Sequence, residues 1–242
     1  MNEPKKELGK QNLFTIIISC VAIFVSVFAI IFSSIALIQK TDEQLFDENI
    51  NKVVEIRVSN DEETWGLGTG CFISSDGTIL TNKHMVYSST LDSNYSTIQV
   101  RLPSSEEYVD ATVLNVSSDV DLALIKIDKN NCEYFNVVSN VTDGQEIYTI
   151  GNPNGFGLSF TKGNVSSRLR YVTYEDNVIA TIQTSLVINE GNSGGPVFNK
   201  NGELLGLISF RLKDKNNEVI QGVSFAVPGS IILEYLDSIE AE

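Results

Sequence analysis

The stretch most capable of chemistry is a glycine-rich loop around Ser193, where residues 189–196 have the sequence N-E-G-N-S-G-G-P. Glycine is favoured where the backbone takes a positive φ or lies bare against another group. Such a loop can present the Ser193 hydroxyl and leave the amides of Gly191 and Ser193 free to point at one spot. Fixed N–H donors there stabilise the negative charge of a tetrahedral intermediate, which indicates a hydrolase. Taken alone, the same residues fit a tight turn between two strands equally well.

The loop also satisfies G-x-S-x-G, the nucleophile motif of α/β-hydrolases, and that motif has structural requirements. A strand must precede the serine, a helix must follow it, and a histidine must come later in the chain. Here a strand-like run at residues 204–210 follows the loop, and the one histidine, His84, comes before it. The sequence therefore excludes this motif.

A nucleophilic serine needs a base, and His84 is the only histidine in the chain. A carboxylate that fixes the imidazole tautomer completes the usual arrangement. Asp121 stands where a polar turn enters the apolar run L-A-L-I, a place where water is scarce. Asp119 is the rival, and a solvent-facing turn explains it more simply. We predict His84 as the base, Asp121 as its partner and Ser193 as the nucleophile.

Short β-like segments must position these residues, because they dominate the chain from Val53 onward. Runs rich in Val, Ile, Thr and Phe are separated by turn signals such as Asp76-Gly77. The predicted strands include Thr78–Thr81, Tyr108–Val116, Glu146–Gly151, Phe160–Val165, Val178–Thr184 and Pro196–Phe198. No helices alternate with them, so the pattern predicts an all-β fold of antiparallel barrels or a sandwich. One helix is predicted at the C-terminus, within residues 228–240, where apolar residues recur at intervals of three and four.

The three candidate motifs together resemble those of trypsin-like serine proteases of the HtrA/Deg branch. They are His84 in T-N-K-H-M-V, Asp121 in D-L-A-L and Ser193 in G-N-S-G-G-P, in that order. The resemblance covers about residues 50–240. It implies two six-stranded antiparallel, chymotrypsin-like β-barrels and a C-terminal helix. Barrel one is expected at about 52–138, barrel two at about 139–227 and the helix at 228–240.

The resemblance also implies an activity, the hydrolysis of peptide bonds in unfolded or damaged proteins. His84, Asp121 and Ser193 would perform it in the cleft between the barrels, and the amides of Gly191 and Ser193 would bind the oxyanion. No metal and no cofactor is implied. About 15 residues follow the last predicted strand, so a PDZ domain of the family is not expected. Assembly into a homotrimer stays open.

The walls of the substrate pocket follow from the same resemblance. They are expected at Val187, Ile188, Asn189, Glu190, Val223, Ser224 and Phe225. Val187 lies where a trypsin would need a carboxylate to receive Lys or Arg. An apolar lining there predicts a small or medium aliphatic side chain before the scissile bond.

Residues 13–38 form a second conspicuous segment, 26 residues without a charge. A membrane span needs roughly 20, whereas the apolar part of a signal peptide has about 7–15, although a cleavage-like match at 34–36 leaves processing open. Three lysines within residues 1–12 indicate that this terminus is cytoplasmic. Residues 39–51 are then a stalk, and 52–242 are an extracellular domain tethered to the cell membrane through the bilayer span.

Composition narrows the partners and the redox chemistry. The formal net charge is −14 at pH 7, which argues against nucleic acid as a partner. Cys20, Cys71 and Cys132 are too few and too scattered for a disulfide framework or a CxxC metal site. Two buried thiols are favoured over a bridge between Cys71 and Cys132.

Two other function classes compete with a protease. A catalytically silent relative would use its cleft to bind extended peptide by strand addition. The intact set of His84, Asp121, Ser193 and loop glycines argues against it. A structural surface domain would need all of these residues to align by coincidence.

Overall fold

The computed structural model describes residues 5–36, 40–174, 177–216 and 218–241. The chain forms two compact units, with the boundary between Thr41 and Asp42. The helices are α1 (Lys5–Ala36), α2 (Asp42–Asn49) and α3 (Gly229–Glu240). The strands are β1 (Val53–Ser59), β2 (Gly66–Phe72), β3 (Thr78–Thr81), β4 (Tyr87–Ser88), β5 (Ser93–Asn94), β6 (Thr97–Arg101), β7 (Tyr108–Asp110), β8 (Thr112–Val116), β9 (Ala123–Lys126), β10 (Asn136–Val137), β11 (Glu146–Gly151), β12 (Ser159–Tyr174), β13 (Asn177–Thr184), β14 (Pro196–Phe198), β15 (Glu203–Lys213) and β16 (Val219–Pro228).

Helix α1 carries the apolar segment that the sequence predicts as a span. Its stretch Asn12–Phe32 is long and apolar enough to cross a membrane by length and composition. The large apolar side chains between Leu13 and Phe32 are exposed. Two residues of the predicted span, 37 and 38, lie outside the described part of the chain.

The first sheet closes into barrel one through a single bent segment. Its strand order is β7-β6-β1-β2-β3-β9-β8, so β7 and β8 lie at opposite edges. Only Ala111 separates them in the chain. The run predicted as one strand at 108–116 therefore pairs with β6 at one end and with β9 at the other. Counted as one bent strand, it gives the six strands predicted for this barrel.

The second sheet closes into barrel two by direct pairing of two long strands. Its order is β10-β15-β14-β11-β12-β13-β16, and β15 also pairs with β16. Strands β11 to β16 thus form a closed ring of six. The short β10 pairs in parallel with β15, with Asn136 opposite Glu203. This parallel addition is the one departure from the antiparallel prediction among the described strands.

Each barrel has an apolar interior, and a third apolar cluster fills the seam between them. Alternate residues of β1, such as Val54 and Ile56, are fully buried in barrel one, as the two-residue period of a strand requires. The seam cluster combines Leu122 of barrel one with Leu207 of barrel two. Burial of each such side chain stabilises the fold by about 1.5–3 kcal/mol.

Both ends of the second unit pack on this seam. Leu45 of α2 is fully buried in the seam cluster, and the Phe46 ring lies 6.1 Å from that of Phe160. Part of the predicted stalk, residues 42–49, is therefore a helix attached to the second unit. Tyr235 of α3 also belongs to the cluster, and its hydroxyl donates to Asn115 Oδ1 at 2.9 Å.

The cysteines agree with the simpler prediction for them. Cys71 and Cys132 are buried, free thiols, and they belong to different apolar clusters. Burial raises the pKa of the Cys71 thiol, so the protonated form is favoured there.

Candidate active site

The Ser193 loop connects β13 to β14, and two of its glycines have backbones that other residues rarely adopt. Gly191 has a φ of +93° and Gly194 a φ of +82°. A Cβ atom on Gly191 would lie 2.1 Å from the carbonyl oxygen of Asn152, and one on Gly194 would lie 2.0 Å from that of Thr69. Conformation and space both require glycine at these positions.

Barrel one holds this loop through Thr69 of β2. The Thr69 hydroxyl donates to the carbonyl of Gly191 at 2.7 Å, and the Thr69 amide donates to the carbonyl of Ser193 at 2.9 Å. The same hydroxyl accepts a bond from the amide of Asn152 at 3.0 Å. Thr69 is fully buried, so these bonds lie away from water, where they are electrostatically stronger. The loop is therefore fixed from across the seam.

The peptide between Glu190 and Gly191 is oriented by a turn in barrel two. The carbonyl of Glu190 accepts a bond from the amide of Asn154 at 2.7 Å. Because the carbonyl and the N–H of a trans peptide point in opposite directions, the Gly191 amide points away from Asn154. Within the described residues, the amides of Gly191 and Ser193 donate to no acceptor. Both are available for an external oxygen, which an oxyanion hole requires.

The predicted base and its predicted partner lie within hydrogen-bond distance of each other. His84 follows β3 and Asp121 precedes β9, and these strands are antiparallel neighbours with Thr81 opposite Ala123. His84 Nδ1 lies 3.0 Å from each carboxylate oxygen of Asp121. The His84 amide donates to the same carboxylate at 3.1 Å. These contacts fix the imidazole ring relative to barrel one.

The environment of Asp121 keeps it ionised. Burial pulls its pKa upward, but the bond and the charge of His84 and the hydroxyl of Ser209 outweigh burial, and the net pKa is lowered. The Ser209 hydroxyl donates to Asp121 Oδ2 at 2.6 Å. The rival, Asp119, is exposed in the preceding turn, as its simpler explanation predicted.

Ser209 of β15 also connects Asp121 with Ser193. Its carbonyl accepts the bond donated by Ser193 Oγ, at 3.2 Å, while its hydroxyl is bound to the carboxylate. The serine of barrel two and the carboxylate of barrel one are therefore both within bonding distance of a single residue. Asp121 is thus bonded to both His84 and Ser209, and Ser209 is in turn bonded to Ser193.

The predicted pocket residues fall into three groups. Val187, Ile188 and Val223 line a narrow cavity beside the serine loop. Asn189 and Glu190 do not line the cavity, but both face the guanidinium of Arg211, which does.

The third group of predicted wall residues lies behind the cavity. Ser224 is buried and donates to the carbonyl of Leu186 at 3.1 Å. Phe225 is buried and stacks on Phe210 with ring centroids 5.0 Å apart. These two side chains support the wall, and neither belongs to its lining.

Three residues that shape the site were missed by sequence reasoning. Ser209 carries a detectable signal, because it is a lone hydroxyl in the apolar run L-I-S-F. Thr69, between two glycines, carries none that separates it from an ordinary strand residue. Arg211 lines the same cavity as Val187, and its position follows only from the path of β15.

Comparison with known sequences identifies the domain. A sequence profile described as "Trypsin-like peptidase domain" matches residues 68–207. A protein of Marinomonas sp. (strain MWYL1), named "Probable periplasmic serine endoprotease DegP-like", is 35% identical over 178 residues. The match covers 73% of this chain and 36% of that relative. A protein of the same name from Pseudomonas fulva (strain 12-X) is 35% identical over 181 residues, which is 74% of this chain and 36% of the relative. The chain spans about a third of the length of these relatives.

Comparison with solved structures agrees. The "HtrA-type protease AlgW with tripeptide" has a TM-score of 0.71 and 27% identity, over 83% of this chain and 64% of that one. A serine endoprotease from Yersinia pestis has a TM-score of 0.66 and 27% identity, over 82% and 66%. The predicted resemblance to HtrA/Deg proteins and the predicted barrel fold are confirmed.

Proposed function

Because the chain belongs to the trypsin-like peptidase family, we propose that it is a serine endopeptidase that cleaves unfolded or damaged polypeptides. One observation carries the proposal: the hydrogen-bonded series from His84 through Asp121 and Ser209 to Ser193 lies beside two unoccupied amide donors. A glycine turn with only a structural role has no need of this arrangement.

The geometry supports an acyl-transfer mechanism. Ser193 Oγ attacks the peptide carbonyl and forms the C–O bond, while His84 takes the hydroxyl proton. The amides of Gly191 and Ser193 receive the oxyanion. His84 returns the proton to the leaving amine as the C–N bond breaks, and water then releases the acyl group by the same route. Asp121 holds the ring and stabilises the imidazolium.

The pocket supports an apolar contact with the residue before the scissile bond. Val187 and Val223 line the cavity together with Ile220. A short aliphatic segment fits such walls, and each buried CH₂ group contributes about 0.8 kcal/mol. Val187, Ile220 and Val223 are therefore the side chains that a small or medium aliphatic residue of the substrate would contact.

The N-terminal helix supports a membrane tether. The stretch Asn12–Phe32 can cross a hydrocarbon core, and the lysines within residues 1–12 favour a cytoplasmic terminus. The protease-like unit then lies outside the membrane, in a compartment like that of the relatives named periplasmic. A chain in which this unit is protected from protease added to intact cells would contradict the topology.

The decisive experiment compares the full chain in detergent micelles with Ser193→Ala. We expect the full chain to react with a fluorophosphonate probe and to degrade casein, and the variant to do neither, because only Ser193 supplies the nucleophile. Peptide binding without labelling or degradation would identify the catalytically silent module instead.

A further inference from the structure

The cavity lined by Val187 and Val223 also has one charged side chain, that of Arg211. Arg211 lies on β15, two residues after Ser209, which is roughly 7 Å along a strand. It lines the cavity together with Val187 and Val223. Its guanidinium therefore shares the space that receives the substrate residue before the scissile bond in the proposed reaction.

The guanidinium is held in place mainly by neutral acceptors. Nη1 donates to the carbonyl of Ile188 and to Asn189 Oδ1, both at 3.1 Å. Both acceptors belong to the segment that leads into the serine loop. A pre-oriented guanidinium loses less conformational entropy when it binds a ligand than a free side chain does.

The charge of Arg211 has only a weak partner of its own. Among the described residues, the carboxylate that faces it is Glu190, with Oε1 at 3.8 Å from Nη2. That distance exceeds a hydrogen bond, and the Glu190 side chain is 84% exposed. Exposed pairs of this kind contribute little. The Arg211 side chain is only 20% exposed, so its charge is stronger toward a group inside the cavity.

A substrate side chain that packs against Val187 and Val223 must suit both these valines and the charge of Arg211. A purely aliphatic side chain would displace water from the guanidinium without replacing its hydrogen bonds, which is unfavourable. A Lys or Arg side chain would meet a like charge. A glutamate side chain has two CH₂ groups that can contact Val187 and Val223 and a terminal carboxylate for the N–H donors of Arg211.

We propose that Arg211 is a specificity-determining residue that selects an acidic side chain, glutamate above all, before the scissile bond. The inference rests on the proposed endopeptidase function and replaces the aliphatic preference proposed with it, because Val187 and Val223 would contact the methylene stem of glutamate instead. Since the chain carries a formal charge of −14, long-range repulsion opposes acidic substrates, and selection of one depends on this local cation.

The test compares kcat/KM for peptides that differ only before the scissile bond, with Glu, Gln, Leu or Lys at that position. We expect the full chain to prefer Glu over Gln by at least about tenfold, as hydrogen bonds to charged groups allow. Arg211→Leu should lose this preference and favour Leu, while Arg211→Lys should keep part of it. Arg168→Leu, on the exposed part of β12, is the matched control and should leave the ratio unchanged.

Binding of the same peptides to Ser193→Ala separates this proposal from the proposed reaction. If Ser193→Ala binds the Glu peptide best and Arg211→Leu abolishes that preference, the role of Arg211 is supported. If the full chain with Ser193 intact also cleaves none of the peptides, the endopeptidase proposal is refuted while the role of Arg211 stands. Cleavage with a Glu-to-Gln ratio that is near one, or that Arg211→Leu leaves unchanged, overturns the role of Arg211 and keeps the endopeptidase.

Discussion

The two sides of the cleft achieve their geometry by different means. On the barrel-two side, the Ser193 loop is defined by its backbone, through positive φ values at Gly191 and Gly194 and contacts that leave no room for a Cβ. On the barrel-one side, His84 and Asp121 are defined by side-chain hydrogen bonds between the ends of neighbouring strands. The Ser193 loop depends on glycines that lack a Cβ atom, and the His84–Asp121 pair depends on an imidazole and a carboxylate.

This difference predicts opposite sensitivities to substitution. Adding one methyl group to the loop displaces the peptide that carries the proposed oxyanion donors, because the close neighbours are backbone carbonyls that cannot move aside. Exchanging an isosteric side chain in the pair keeps the packing and removes only the chemistry. Substitutions on the two sides therefore separate damage to structure from damage to reactivity.

The largest effect is expected on the barrel-one side of the cleft, at Asp121. Asp121→Asn keeps the shape of the side chain, but an amide cannot hold the imidazole in the tautomer that accepts the Ser193 proton. In a trypsin-like triad this change lowers kcat by about ten-thousand-fold. Steady-state hydrolysis checks the rate, and thermal unfolding checks that the fold is kept. A loss below about tenfold would show that Asp121 is not the partner of the base.

The next largest effect is expected on the barrel-two side, at Gly191 of the Ser193 loop. Gly191→Ala would place a Cβ 2.1 Å from the Asn152 carbonyl and move the adjacent amide, which should lower kcat by about a hundredfold or more. The matched control is Gly144→Ala. Gly144 also has a positive φ, of +79°, but no heavy atom within 4 Å of an added Cβ.

The control should therefore lose only about 1 kcal/mol of unfolding free energy, with kcat unchanged. Equal kcat losses in the two variants would show that backbone strain, and not displacement of the Gly191 amide, sets the rate. Paired measurements of kcat and denaturant unfolding distinguish these results.

A smaller effect is expected at Ser209, which is bonded to both Asp121 and Ser193. Ser209→Ala removes the bond to Asp121 Oδ2 and keeps the carbonyl that accepts from Ser193, so kcat should fall by about tenfold. The pKa of Asp121 should rise, because that hydroxyl helps to lower it. A lowered folded-state pKa stabilises the protein above the unfolded-state pKa, and this stabilisation is lost as pH falls through the folded value. Unfolding in acid should therefore begin at a higher pH in the variant.

The smallest effect is expected at Tyr235, outside the cleft, which serves as a reference for both sides of the cleft. Burial raises the pKa of Tyr235 to about 12, from an unfolded value of about 10. The contribution of the neutral Tyr235 hydroxyl to the free energy of unfolding is complete below a pH of about 10. It is lost as the pH rises toward 12, because the buried hydroxyl must then ionise. Tyr235→Phe should make the unfolding free energy less dependent on pH in that window and leave kcat unchanged. An unchanged alkaline slope would contradict the assignment.

The local sequence predicted much of the fold and the candidate catalytic set. Strands β3, β11 and β14 have the predicted limits, because short apolar runs bounded by turn residues specify them. Other limits shifted: β12 continues to Tyr174, beyond the predicted end at Val165, because its partner β13 continues to pair with it across residues outside the predicted run. The choice of Asp121 over Asp119 also followed from local burial.

By itself, the sequence determined the apolar N-terminal helix, the β-rich domain and the loop glycines, and it predicted His84, Asp121 and Ser193 as the candidate catalytic set. These features depend on neighbouring residues, whose backbone and burial preferences are local. Only the tertiary structure decided that Thr69 bonds to Gly191, 122 positions away, and that Arg211 enters the cavity. Such contacts depend on strand register and barrel closure, which are set by the packing of the whole domain and leave no mark on the residues nearby.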